Sequence, residues 1–165
     1  MLIQLGDWEL DVDVKTNMSF SVAQAQDNCR CAYCCNYYGA VDSAYPNLRP
    51  FLMEYGVDIN GPDELSPFEP TIYEAVYIIN GIILKKGTNN IRVDGIPVII
   101  RDSADSDMET ERPLPYFTFT VGLMELPWIM DEPMDEVVSP ANEEAYMQRM
   151  WKKLLLRMSD EGIQS

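Results

Sequence analysis

The chain has 165 residues, 47% of them hydrophobic and 24% charged, a composition that supports one folded core and argues against a disordered or low-complexity chain. Its 27 acidic residues outnumber 12 basic ones, giving a net charge of −15 that repels phosphate backbones and makes nucleic acid a poor partner. Histidine is absent, and with it go the imidazole general base, the triads built on one and every zinc site with a His ligand.

The first residues carry no basic region, and Asp7 interrupts before an apolar stretch of signal-peptide length can build, so no leader is expected. The longest uninterrupted apolar run, residues 75–79, falls far below the roughly 20 needed to cross a bilayer. A cytoplasmic protein without a membrane partner is the expectation.

Residues 2–5 and 8–15 read as an N-terminal hairpin turning at Gly6-Asp7. In the second arm Trp8, Leu10, Val12 and Val14 alternate strictly with Glu9, Asp11, Asp13 and Lys15, as a half-buried strand requires. Residues 16–28 are polar with weak periodicity and read as a connection. From Cys31 onward, Cys34, Tyr37, Tyr38, Val41, Ala44 and Tyr45 recur at helical spacing. After Pro46 a second short helix through Leu48, Phe51, Leu52 and Tyr55 ends at Gly56 as a left-handed cap, so the helical segment spans about 31–56.

Three prolines within residues 61–70 indicate a loop. A sheet then follows over about 71–126. Residues 71–84 are rich in β-branched and aromatic side chains, residues 91–93 and 96–101 flank the hairpin dipeptide Asp94-Gly95, and residues 116–126 form a further strand. Ser139 caps a C-terminal amphipathic helix over about 140–158, with Pro140 at its first position and a stripe of Met147, Met150, Trp151, Leu154, Leu155 and Met158. This order predicts a single α+β domain over 1–165 with a mostly antiparallel sheet. An exposed Met- and Trp-containing face on the last helix would suggest contact with a second copy.

All four cysteines lie at positions 29, 31, 34 and 35, too close together to staple distant segments, so they form no disulfide framework. Three readings compete. Cys31 and Cys34 form a CxxC pair, and at a helix N-terminus the dipole and free N–H groups would lower a thiol pKa as a thiol–disulfide exchanger needs. The polar stretch before them, in place of the buried strand of a βαβ unit, counts against that. Alternatively Cys29, Cys31 and Cys34 ligate zinc or an iron–sulfur cluster, although the spacing lacks the paired knuckles and wider separations of the strong signatures. Cys35, about 100° from Cys34 around a helix, is poorly placed to join them unless two subunits share the site. The plainest reading makes some of these cysteines small buried hydrophobes.

The pattern CxCxYCxN followed by an aromatic, at residues 29–37, is accompanied by the strand at 6–14, the helix end at 51–58 and the Leu-Pro-Trp at 126–128. Together these resemble a family of uncharacterised bacterial proteins. The resemblance implies that Cys29, Cys31, Cys34 and Asn36 are the positions of interest, with Cys35 a local extra, and it supplies no activity.

Asp102, Asp105, Asp107, Glu109 and Glu111 crowd one loop, but an EF-hand frame from Asp105 puts Thr110 at the glycine position and Tyr116 at the bidentate glutamate position, so a solvated acidic loop is the simpler account. Asp131, Glu132, Asp135 and Glu136 form a second acidic patch. No phosphate-cradling glycine loop and no nucleophile elbow occur. No catalytic constellation assembles, so a non-enzymatic binding or interaction domain is the leading expectation. The charge favours an inhibitor- or immunity-type protein that covers a basic partner. A thiolate metal protein and a CxxC oxidoreductase are the alternatives.

Overall fold

Gly6, at a φ of 60°, turns β1 (Leu2–Leu5) into β2 (Trp8–Val12), the N-terminal hairpin that the sequence predicts. The computed structural model describes residues 1–26, 28–69 and 71–131, together with Trp151 and Leu155. Three helices follow the hairpin: α1 (Val14–Gln26), α2 (Ala32–Ala44) and α3 (Leu48–Met53). Then come β3 (Glu64–Glu69), β4 (Ile72–Lys85), β5 (Ile91–Val93), β6 (Ile96–Asp102) and β7 (Tyr116–Glu125). Among the described residues seven strands form one sheet in the order β1-β2-β4-β7-β6-β5, with β3 alongside β4. Every pairing is antiparallel. The chain therefore has the expected α+β architecture, and among the described residues no helix is long and apolar enough to cross a membrane.

Register brings apolar residues into rows across the sheet. Tyr77 of β4 faces Phe119 of β7, which faces Ile100 of β6; Ala75, Val121 and Val98 form the next row. Tyr33, Tyr37, Ala40 and Val41 of α2, with Leu48 and Leu52 of α3, join these rows in one buried cluster. Tyr55 meets Phe119 edge-on at 4.8 Å, and Phe51 stacks on it at 5.7 Å. Burying each such aromatic or branched side chain contributes about 1.5–3 kcal/mol, so this helix-on-sheet layer is the main source of stability.

Turn chemistry follows the sequence where glycine is required. Asp94 and Gly95, at φ 51° and 80°, make the hairpin between β5 and β6, as a type I′ turn demands. Gly56, at φ 79°, terminates the α3 segment, with the Val57 N–H donating back to the Leu52 carbonyl.

Three expectations need correction. The strand read over 8–15 stops at Val12, because Asp13 begins a helix: its carboxylate accepts from the Thr16 N–H at 3.1 Å and from the Thr16 hydroxyl at 2.8 Å, the arrangement of an N-cap. Residues 16–28 are accordingly not a simple connection, since α1 occupies most of them. Residues 61–70 are not simply a loop either, because β3 pairs with β4 from Glu64 to Glu69. Pro67 is tolerated because β3 is an edge strand and its register breaks between Pro67 and Glu69. The C-terminal helix expected over 140–158 lies outside the described residues, apart from Trp151 and Leu155, which are helical and exposed.

Candidate metal centre

Helix α2 begins on a cysteine. Cys31 is its N-cap, extended at φ −64° and ψ 158°, and its Sγ accepts the Cys34 N–H at 3.4 Å. A sulfur here does the work usually given to a Ser or Asp oxygen, satisfying a first-turn donor that the helix cannot bond internally. The residue before the cluster is fixed from across the fold, because Asn28 Nδ2 donates to the Asn60 carbonyl at 2.8 Å. Cys29 is thereby held beside the helix start. The Sγ atoms of Cys29, Cys31 and Cys34 all lie within 4.8 Å of one another.

The three thiols differ in surroundings. Cys29 and Cys31 are exposed, while Cys34 is buried at the base of the group. The Cys31 N–H, assisted by thiol hydrogen bonds from Cys31 and Cys34, holds the Cys29 thiol below its ordinary pKa. Burial, reinforced by hydrogen bonding and charge from Cys31 and Cys29, pushes Cys34 well up. Between these two thiols negative charge therefore resides first on Cys29, beside the N-terminal end of α2 where the helix dipole favours it. Tyr38 is likewise pushed up, by burial and then by the charge of the neighbouring thiols.

Below the cysteines the structure is closely tied. Tyr73 Oη donates to the Tyr33 carbonyl at 3.0 Å, Asn36 Nδ2 donates to Tyr73 Oη at 3.3 Å, and the Tyr33 ring meets Trp128 edge-on at 5.6 Å. The first turn of α2 is thus anchored to β4 and to the chain leaving β7, so the positions of Cys31 and Cys34 are set by the core.

All four cysteines are free thiols. The structure brings together Cys29, Cys31 and Cys34, the three residues proposed from sequence as ligands, and keeps Cys35 apart: its thiol donates to the Arg30 carbonyl at 3.5 Å. The redox alternative, Cys31 with Cys34, does sit at a helix N-terminus, but α1 and a short connection precede it where a thioredoxin-like site has a buried strand. The tie from Asn28 to Asn60 and the packing of Trp128 escaped sequence reasoning, since both join segments far apart in the chain. Of the acidic loop, Asp102 accepts from the Ala104 N–H at 3.2 Å and caps a short 3-10 turn. No acidic group gathers as the cysteines do among the described residues. In the second acidic patch, Asp131 is exposed and positions 132, 135 and 136 lie outside the described residues.

Geometry separates the possible occupants. A tetrahedral zinc with bonds of about 2.3 Å holds its sulfurs about 3.8 Å apart, so sulfurs within 4.8 Å need to close by no more than about 1 Å. A cubane iron–sulfur cluster binds each cysteine to a different iron and spreads the sulfurs wider than one shared ion does. The trio therefore suits a single ion better than a cluster.

Comparison with protein-family models, with curated proteins and with solved structures finds no match to this chain.

Proposed function

We propose that this protein binds one thiophilic metal ion through the thiolates of Cys29, Cys31 and Cys34, in a binding role without catalysis. The observation that carries this is the convergence of three sulfurs within 4.8 Å at the start of a helix. A disulfide exchanger needs two such thiols and gains nothing from holding a third. Soft sulfur donors favour zinc, copper and other thiophilic ions over magnesium or calcium. Each ligand must lose its proton on binding, so the helix end and the N–H bonds to sulfur lower the cost of assembling negative charge. The chain has no histidine, and among the described residues no carboxylate joins the three sulfurs, which favours ion binding, storage or sensing.

The test is metal content and thiol count on full-length protein purified anaerobically and without chelator. About one equivalent of metal, or uptake of one equivalent of zinc by the reduced protein, is expected, with all four thiols titrating in denaturant once metal is removed. Cys29→Ser, Cys31→Ser and Cys34→Ser should each weaken binding, and Cys35→Ser should not. A chain that takes up no metal when its four thiols are reduced would overturn the proposal, as would one whose binding depends equally on Cys35.

A further inference from the structure

We infer that the site is built for an ion satisfied by three sulfurs, of the class of monovalent copper, and that zinc binds only by importing its fourth ligand from solution; this rests on the three-thiolate assignment above. Coordination number decides the matter. The chain has no histidine, and the fourth cysteine is turned away, its sulfur directed to the Arg30 carbonyl. Among the described residues no carboxylate oxygen joins the three sulfurs. Zinc is almost always four-coordinate, and a structural zinc site closes with four protein ligands. Among the described residues this site offers three, all soft, from a segment of six residues.

Distance alone does not choose between the ions. With bonds of about 2.3 Å, a trigonal planar ion sets its sulfurs about 4.0 Å apart and a tetrahedral one about 3.8 Å; both fall inside the observed 4.8 Å. The difference lies in what each ion needs outside the triangle. A trigonal ion rests in the plane of the sulfurs, with Cys34 at the buried edge and Cys29 and Cys31 at the exposed edge, and needs no further donor. Zinc needs a fourth ligand beyond the three sulfurs, and among the described residues no further Cys, Asp or Glu joins them. All-thiolate donors also match monovalent copper in softness. Binding exchanges thiol protons for the ion with no change of oxidation state.

The experiment is X-ray absorption on the reduced full-length chain loaded anaerobically with one equivalent of copper(I), and separately of zinc. The inference predicts copper bound by three sulfurs and no nitrogen or oxygen, at one ion per chain, unchanged in Cys35→Ser. Cys34→Ser should reduce the copper shell to two sulfurs and weaken affinity at least roughly tenfold, since a ligand is lost outright. Zinc should show three sulfurs and one oxygen or nitrogen. Copper held by two sulfurs in the parent, several coppers per chain, or zinc held by four sulfurs would overturn it. Four-sulfur zinc would leave the metal-binding proposal standing, whereas uptake of neither ion would remove both.

Discussion

Asn36 and Ile129, 93 positions apart, share a hydrogen bond of 2.8 Å in which the Ile129 N–H donates to Asn36 Oδ1. The same side chain donates through Nδ2 to the Pro127 carbonyl at 3.1 Å and to Tyr73 Oη at 3.3 Å, and it is fully buried. One amide two residues after Cys34 thus clamps the chain beyond β7 against α2. Asn36→Ala removes the side-chain partner of the part-buried Pro127 carbonyl and Ile129 N–H and one bond from Tyr73 Oη, which keeps the Tyr33 carbonyl; at roughly 1 kcal/mol each, a loss of about 2–3 kcal/mol is expected. In a chain of this size that lowers Tm by about 5–10 °C. Asn36→Asp should be worse, because it sets a carboxylate against the Pro127 carbonyl. Thermal unfolding of either variant within a degree of the parent would show that the clamp contributes nothing.

Two buried tyrosines should respond oppositely to losing their hydroxyls. Tyr77 Oη donates to the Ile59 carbonyl at 2.7 Å and sits 2.6 Å from Tyr37 Oη, whereas Tyr55 Oη is buried with no hydrogen-bond partner among the described residues. Tyr77→Phe removes the shorter of two hydroxyl bonds to the Ile59 carbonyl and the contact with Tyr37 Oη, which keeps only its own longer bond of 3.4 Å to that carbonyl, and should cost about 1–2 kcal/mol, while Tyr55→Phe removes an unsatisfied hydroxyl and should be neutral or stabilising. Denaturant titrations of the two variants check this, and the reverse ranking would contradict the assigned network.

Asp7 governs the acid side of stability. Its carboxylate accepts the Thr88 and Asn89 N–H groups and the Thr88 hydroxyl, at 2.8, 3.0 and 2.9 Å, and these bonds lower its pKa from 3.8 to about 2. A depressed carboxylate contributes stability that is present above its unfolded value and lost as pH falls through the folded one. Asp7→Asn should therefore be less stable than the parent at pH 6, with the gap narrowing between pH 4 and 2. A gap independent of pH across that window would contradict the role given to the charge.

Asp63 should show the opposite sign. Its carboxylate accepts the Ile78 N–H at 2.7 Å, yet burial outweighs that bond and the nearby Arg112 charge and raises its pKa. The contribution of a raised group is fully present below its unfolded value near 3.8 and declines as pH rises through the folded one. Asp63→Asn keeps an acceptor for Ile78 and removes the buried charge. It should match or exceed parental stability at pH 7 and lose that advantage below about pH 4. Urea midpoints at the two pH values measure the difference, and a large loss at pH 7 would show that the charge is needed.

The sheet was legible where residue type dictates backbone, as in Asp94-Gly95 and in the alternation from Trp8 to Val12. Helix α1 was not, because it is inverted relative to the usual pattern. Its buried side carries Asn17 and Ser21, while Met18 and Val22 are exposed. Asn17 accepts the Asn80 N–H at 2.7 Å and donates to the Tyr55 carbonyl at 2.9 Å, and Ser21 Oγ accepts the Asp58 N–H at 2.7 Å. A helix docked by hydrogen bonds leaves no apolar stripe to read. Only Asp13, three residues before Thr16, marked its start. At the candidate site, spacing placed Cys31 and Cys34 at a helix end and turned Cys35 away. Cys29 was grouped with them from the Cys-x-Cys spacing, but what holds it there, Asn28 reaching Asn60 across the fold, could not be read.

The central claim, three thiolates converging on one ion, is tested most directly by titrating the reduced full-length chain with cadmium and following the ultraviolet thiolate-to-metal charge-transfer band, whose intensity grows with the number of bound sulfurs. Saturation at one equivalent is expected, with an unchanged band in Cys35→Ser and a band reduced by about a third in each of Cys29→Ser, Cys31→Ser and Cys34→Ser, because soft sulfur donors bind the ion individually. A band that never develops in the parent, or one that falls as far in Cys35→Ser as in the other three variants, would contradict it.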